Sequence, residues 1–173
     1  MANPITRQHV SGAGVGATLG IVLTLAATVI APFEGFARKP YVDTVGTGHP
    51  ETWCYGETAA DGPPPPFSQV FTKEECQQLL ADSLPKYDAQ LAKCLKPDVY
   101  AALPAHRHAA LISTVYNIGG GAFCKSAMAR DLNAGNVQRA CDDLLGYDHA
   151  DGRVLAGLQR RRQAERELCL RND

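Results

Sequence analysis

Two carboxylates open the chemistry of this chain. Glu34 is the first acidic residue of the 173, and Asp43 follows nine positions later, across Pro40 and Tyr41. The residue before a proline is pushed out of helical backbone, so the chain is expected to turn from helix to extended structure between the two acids. Acids on different elements around a turn can face one cleft from opposite walls. Cleavage of a glycosidic bond needs that arrangement, with one protonated carboxyl as acid and a second, ionised one across the bond. Spacing alone is weak support, since most acidic side chains are solvated surface groups. Other chemistries are less well provided for. His106 and His108 lie two apart on one expected helix and so point to different faces, with no Ser or Cys placed to form a triad. The six cysteines are spread out, without a C-x-x-C pair or a Cys/His cluster at zinc spacing.

The string Glu34-Gly35-Phe36-x-x-Lys39-Pro40-Tyr41-x-Asp43, continued by Thr52-Trp53-Cys54-Tyr55-Gly56, resembles the active-site segment of phage-type muramidases, the endolysins of glycoside hydrolase family 24. The resemblance implies Glu34 as general acid, Asp43 as second carboxylate and Thr52 as the residue that positions the attacking water. The gap from Asp43 to Thr52 is about three residues longer than the family pattern leads one to expect, so Thr44 and Thr47 stand as rivals to Thr52. Glu57 occupies a place where relatives often carry a histidine. Flanked by Phe33 and Phe36, Glu34 is expected in an apolar setting that favours its protonated form.

A second string, Val115-Tyr116-Asn117-Ile118-Gly119-Gly120-Gly121-Ala122-Phe123, also resembles the family. By that resemblance Tyr116, Asn117 and Gly119, with Tyr55 from the first string, line the saccharide groove. The alternative is a helix C-cap with Tyr116 in the core, and both can hold together. Gly157-Leu158-x-x-Arg161-Arg162-x-x-Glu165 is the third such string. The resemblance spans most of residues 33–170. It implies hydrolysis of the β-1,4 bond between N-acetylmuramic acid and N-acetylglucosamine in peptidoglycan, with inversion, and no metal or organic cofactor. Inversion asks for carboxyls roughly 6.5–9.5 Å apart.

The elements that must hold these residues divide at Glu34. From Val10 to Phe33 the chain carries no charge and is long enough to span a bilayer as a helix, but Gly12, Gly14, Gly16, Gly20 and three threonines dilute its apolar content. Arg7 before the run places the N-terminus on the cytoplasmic side and the remainder outside. A cleaved signal peptide, a permanent anchor, a signal-anchor-release segment and a buried core helix all remain open, and the resemblance to phage endolysins implies release. On that reading residues 10–33 hold the protein at the host inner membrane, facing the periplasm, and extraction lets the segment bearing Glu34 complete its cleft. The expected domains are a release segment over 1–33 and a lysozyme-like catalytic domain over 34–173.

Composition agrees with an exported enzyme. The formal net charge is −1, so nothing asks for a nucleic-acid partner. Six cysteines suit disulfides in an oxidising compartment. Many pairings are possible, and the order of local units favours Cys54–Cys76, Cys94–Cys124 and Cys141–Cys169.

The fold class expected is α+β and lysozyme-like, with a small β-hairpin lobe, a larger helical lobe and a preceding apolar helix. Val42 to Glu57 reads as the hairpin and Pro63 to Pro66 as a stiff loop. Thr72-x-x-Glu75 is a capping box. The helix that it opens is expected to continue over Leu84–Leu95 past Pro85, which can instead mark a break. Further helices are expected over Pro104–Ile118, Ser126–Leu132, Asn136–Leu145 and from Gly157 onward, with a turn-rich connection over Tyr147–Gly157. Arg160-Arg161-Arg162, followed by Glu165 and Glu167, reads as a solvated helical face with local ion pairs. A monomer acting on glycan strands is the expected assembly. A lytic transglycosylase on the same bond, a non-catalytic peptidoglycan-binding module and a small membrane pore are the rival functions. Product analysis, a wall-turbidity assay and deletion of residues 1–33 would separate them.

Overall fold

The computed structural model describes residues 13–44, 48–59, 61–150 and 152–171. Helix α1 (Ala13–Ile30) is followed by a 3-10 turn over Ala31–Phe33. Pro32, without an N–H to donate, ends the helix there, and Glu34 is already extended at φ −98° and ψ 149°. Strand β1 (Ala37–Val42) pairs antiparallel with β2 (Glu51–Cys54), with Tyr41 opposite Thr52 and an irregularity between Ala37 and Tyr41. The hairpin thus begins five residues before the expected Val42. Pro40 lies inside β1 at the irregular stretch, where a missing donor is tolerated.

The helical lobe comprises α2 (Lys73–Ser83), α3 (Pro85–Cys94), α4 (Pro97–Ala101), α5 (Ala105–Ile118), α6 (Gly120–Cys124), α7 (Ala127–Asn133), α8 (Val137–Asp143) and α9 (Ala156–Cys169). Local signals fix several of its boundaries. The capping box is complete: Glu75 N–H donates to Thr72 Oγ1 at 3.1 Å and Thr72 N–H to Glu75 Oε2 at 2.7 Å. Pro85 marks a break and opens α3, the position where its lack of an N–H is harmless. Gly119, at φ +81°, stops α5 in backbone that favours glycine. Helix α6 then begins immediately, where the glycine run reads only as a stop. The connection after α8 holds a two-residue hairpin, β3 (His149–Ala150) with β4 (Arg153–Val154), that the sequence reads only as turns.

Helix α5 is the axis of the lobe, packed on α1, α3, α6 and α9, and every residue from His108 to Val115 is buried. Ile112 and Leu111 each contribute about 1.5–3 kcal/mol by burial. Val22, Ala26, Ala27 and Ile30 of α1 are buried in the same core. Of the readings left open for this run, the structure shows it packed in the core, and among the described residues no helix is long and apolar enough to cross a membrane. The start of the run, with Arg7, lies outside those residues. The three disulfides are Cys54–Cys76, joining β2 to α2, Cys94–Cys124, joining α3 to α6, and Cys141–Cys169, joining α8 to α9. All three follow the expected order of local units.

Candidate active site

Glu34, on the turn that ends α1, sits in an open cleft of about 390 Å3 lined also by Phe33, Asn117, Leu158 and Arg161. It is not in the apolar setting expected of it. Arg161 Nη1 donates to Glu34 Oε1 at 2.7 Å, and Phe36 is exposed, stacking at 5.4 Å on Tyr55. The flanking aromatics misled because Arg161 is far away in sequence.

The expected solvated face holds for Arg160, which is exposed, but Arg161 and Arg162 turn inward and make their local ion pairs with Glu165 in the interior. The Arg161 and Arg162 side chains are 3% and 0% exposed, and that of Glu165 is 0%. Arg161 Nε donates to Glu165 Oε1 at 3.0 Å and Nη2 to Ser113 O at 3.2 Å. Arg162 Nη2 donates to Glu165 Oε1 and to Asn117 Oδ1, both at 3.0 Å. Ser113 Oγ donates to Glu165 Oε1 at 2.6 Å. Burial pushes the Glu165 carboxyl up, against the pull of the two guanidiniums and Ser113. Buried charge is tolerated only when paired and hydrogen-bonded. Arg161 and Glu165 meet that condition by drawing on α5, α9 and Glu34, whereas Arg162 Nη1 is buried without a hydrogen-bond partner among the described residues. Arg161 is the functional side chain that sequence reasoning missed. Its place in the third family-like string was the available signal.

Asp43 follows β1, and its N–H donates to Pro50 O at 2.9 Å, prolonging the ladder in which Tyr41 faces Thr52. Asp43 therefore pairs with Pro50, two residues before Thr52. Asp43 is half-buried, and Thr52 is buried with its hydroxyl on Pro50 O at 3.3 Å. Neither residue lines the cleft at Glu34. Thr44 is exposed beside Asp43, and Thr47 lies outside the described residues.

Of the expected groove residues, Asn117 is exposed and in the cleft, and Gly119 caps α5 beside it. Tyr116 is half-buried, its hydroxyl on Tyr55 O at 3.3 Å and its ring 5.8 Å from Arg161 Cζ. Burial pushes its phenol well above the ordinary value, and Glu34 adds to that. Tyr55 is buried, offers little surface of its own and does not line the cleft at Glu34. A second neglected cluster lies under α5. His108 Nε2 is 2.6 Å from Asp88 Oδ1, and Tyr100 OH donates to both Asp88 oxygens at 2.8–2.9 Å.

The phage lysozyme family profile matches residues 31–165. The chain is 34% identical over 173 residues to the SAR-endolysin of Bacteriophage PS119, covering 97% of this chain and 96% of that protein. It is 34% identical over 169 residues to the SAR-endolysin of Enterobacteria phage P21, at 96% of both. A point mutant of P22 lysozyme superposes with a TM-score of 0.71 at 28% identity, over 84% of this chain and 95% of the other.

Proposed function

From a chain that belongs to the phage lysozyme family, we propose an endolysin that hydrolyses the β-1,4 bond between N-acetylmuramic acid and N-acetylglucosamine in bacterial peptidoglycan. The observation that carries this reading is Glu34 in an open cleft, held by a buried arginine and followed directly by the hairpin that bears Asp43 and Thr52. In the mechanism Glu34 protonates the leaving oxygen, while Asp43 stays ionised and, with Thr52, directs a water to the opposite side of the sugar. The family pattern points to inversion. Asn117 and Gly119 line the groove and Tyr116 and Tyr55 buttress it.

Two relatives named SAR-endolysins, aligned over nearly the whole chain, support extending the proposal to delivery. In that proposal residues 1–33 form the release segment and 34–173 the catalytic domain. The chain is held inactive at the host inner membrane and then acts in the periplasm as a monomer, lysing the host at the end of infection.

The test is digestion of purified sacculi by the protein and by Glu34→Gln, with mass analysis of the fragments. Reducing muropeptides from the parent and none from the variant support the assignment. Anhydro products would point to a transglycosylase, and an equally active variant would remove Glu34 from the mechanism.

A further inference from the structure

The acid that departs from the family pattern is almost sealed from water. Glu57 is 5% exposed, and its Oε2 accepts a hydrogen bond from Tyr55 N–H at 2.7 Å. The backbone closes the same turn: Trp53 N–H donates to Glu57 O at 3.1 Å, and Gly56 N–H and Glu57 N–H both donate to Trp53 O at 3.0 Å. Gly56 sits at φ +98° in this turn, a conformation that any side chain would strain. Burial pushes the Glu57 carboxyl up from its ordinary value, and Asp61 adds to this, while the Tyr55 and Glu57 N–H groups and Lys86 oppose it. A buried acid of this kind costs stability. Such groups gather where a site needs them.

The other pole of the same residue is also held. Tyr55 C=O accepts from Tyr116 OH, and the Tyr116 ring leans on Arg161, which holds Glu34. One residue of the hairpin is therefore gripped by an acid of its own turn at its N–H and by a phenol of α5 at its carbonyl.

We propose that Glu57 is a positioning residue: its carboxylate fixes the Tyr55 backbone so that Tyr116 can bind the carbonyl, and this sets the hairpin carrying Asp43 and Thr52 against Glu34. The inference rests on the hydrolase reading above. Glu57 lines no part of the Glu34 cleft. It faces a separate groove of about 370 Å3 with Trp53, Phe71, Leu79, Asp61 and Asp82. The charged and titratable groups around it are Asp61, ion-paired with Lys86 of α3, Asp82 of α2, and the phenols of Tyr55 and Tyr116. An acid that merely filled the turn would affect stability and leave turnover alone.

The test compares the full chain with Glu57→Gln, Glu57→Ala, Tyr116→Phe and the double variant Glu57→Ala/Tyr116→Phe. Each is assayed for reducing ends released from soluble uncross-linked peptidoglycan, and hydrogen exchange is followed at the Tyr55 amide. The expected result is a kcat about tenfold lower for Glu57→Ala with KM within about twofold. The double variant should then be no worse than Glu57→Ala, because both changes cut one chain of contacts. Glu57→Gln should recover most of the rate, since its amide oxygen can still accept the Tyr55 N–H. Tyr55 exchange should accelerate in Glu57→Ala while amides at Ser113 stay unchanged. Parental kcat in Glu57→Ala, or independent multiplying effects of the two changes, would overturn the proposal. A parent that releases no reducing ends would sink the hydrolase reading instead, and an unaltered Tyr55 exchange rate in Glu57→Ala would then still refute the clamp.

Discussion

Arg161 Nη1 stands 2.7 Å from Glu34 Oε1, joining residues 127 positions apart. The same guanidinium serves Glu165 and the Ser113 carbonyl, so one cation aims the acid of the cleft and fastens α9 to α5.

Arg161→Ala should therefore damage stability and activity together. Removing one partner of a buried ion pair costs about 3–5 kcal/mol, to be read from urea denaturation. Arg161→Lys keeps the charge without the planar fork and should fall between the two. Parental stability in Arg161→Ala would mean that the buried network does not need this side chain.

Asp88 makes the fold sensitive to acid. Burial would raise its carboxyl, but hydrogen bonds from His108 and Tyr100 and the His108 charge outweigh it and bring it below the usual range. A depressed acid contributes stability above its unfolded value, and that contribution is lost as pH falls through the folded one. The parent should lose stability below about pH 4, and Asp88→Asn should show a flatter profile there. Identical acid limbs in thermal melts would contradict this.

Glu57 has the opposite sign. Its raised carboxyl stabilises the fold below the ordinary range, and that advantage disappears as pH rises through the folded value. The melting temperature of Glu57→Gln should match the parent below about pH 4 and exceed it at neutral pH. A pH-independent difference between the two would show that ionisation of Glu57 is not what costs stability.

The Cys141–Cys169 bridge closes a separation of 28 residues. Replacing both cysteines with serine should lower unfolding free energy by about 3–4 kcal/mol in the chain-entropy account. A urea midpoint unmoved by the double replacement would refute that figure.

Gly120→Ala should destabilise by about 1–3 kcal/mol through overpacking. A methyl there would meet Gln90 Cβ at 2.8 Å and Gln90 Oε1 at 2.6 Å, and the latter accepts the Gly120 N–H. The Cβ is fixed to α3 and cannot swing away. An unfolding free energy at the parental value would show that α3 and α6 give way there.

Local chemistry was legible in the sequence. The Thr72–Glu75 box and the Gly119 stop are decided within a few residues, and each stands where the sequence places it. At Pro85, where continuation of the helix and a break both stood open, the structure takes the break. The cysteine order sufficed because each bridge joins nearby elements. Long-range pairing was not legible. The periodicity of α9 describes four arginines and two glutamates alike, and only Ser113, Asn117 and Glu34, brought in by the fold, decide that Arg161 and Arg162 turn inward. The apolar run is ambiguous in a similar way, because its composition suits a lipid or a protein interior, and the partner helix α5 that packs on it lies far along the chain.

The distribution of the bridges has a mechanical consequence. Cys54 is the first cysteine of the sequence, so neither α1 nor the Glu34 turn lies inside a covalent loop. Tension applied at the N-terminal end would peel α1 from α5 and carry Glu34 off its arginine before it met the first covalent loop at Cys54. The acid of the cleft is mounted on a stretch that no bridge restrains against force.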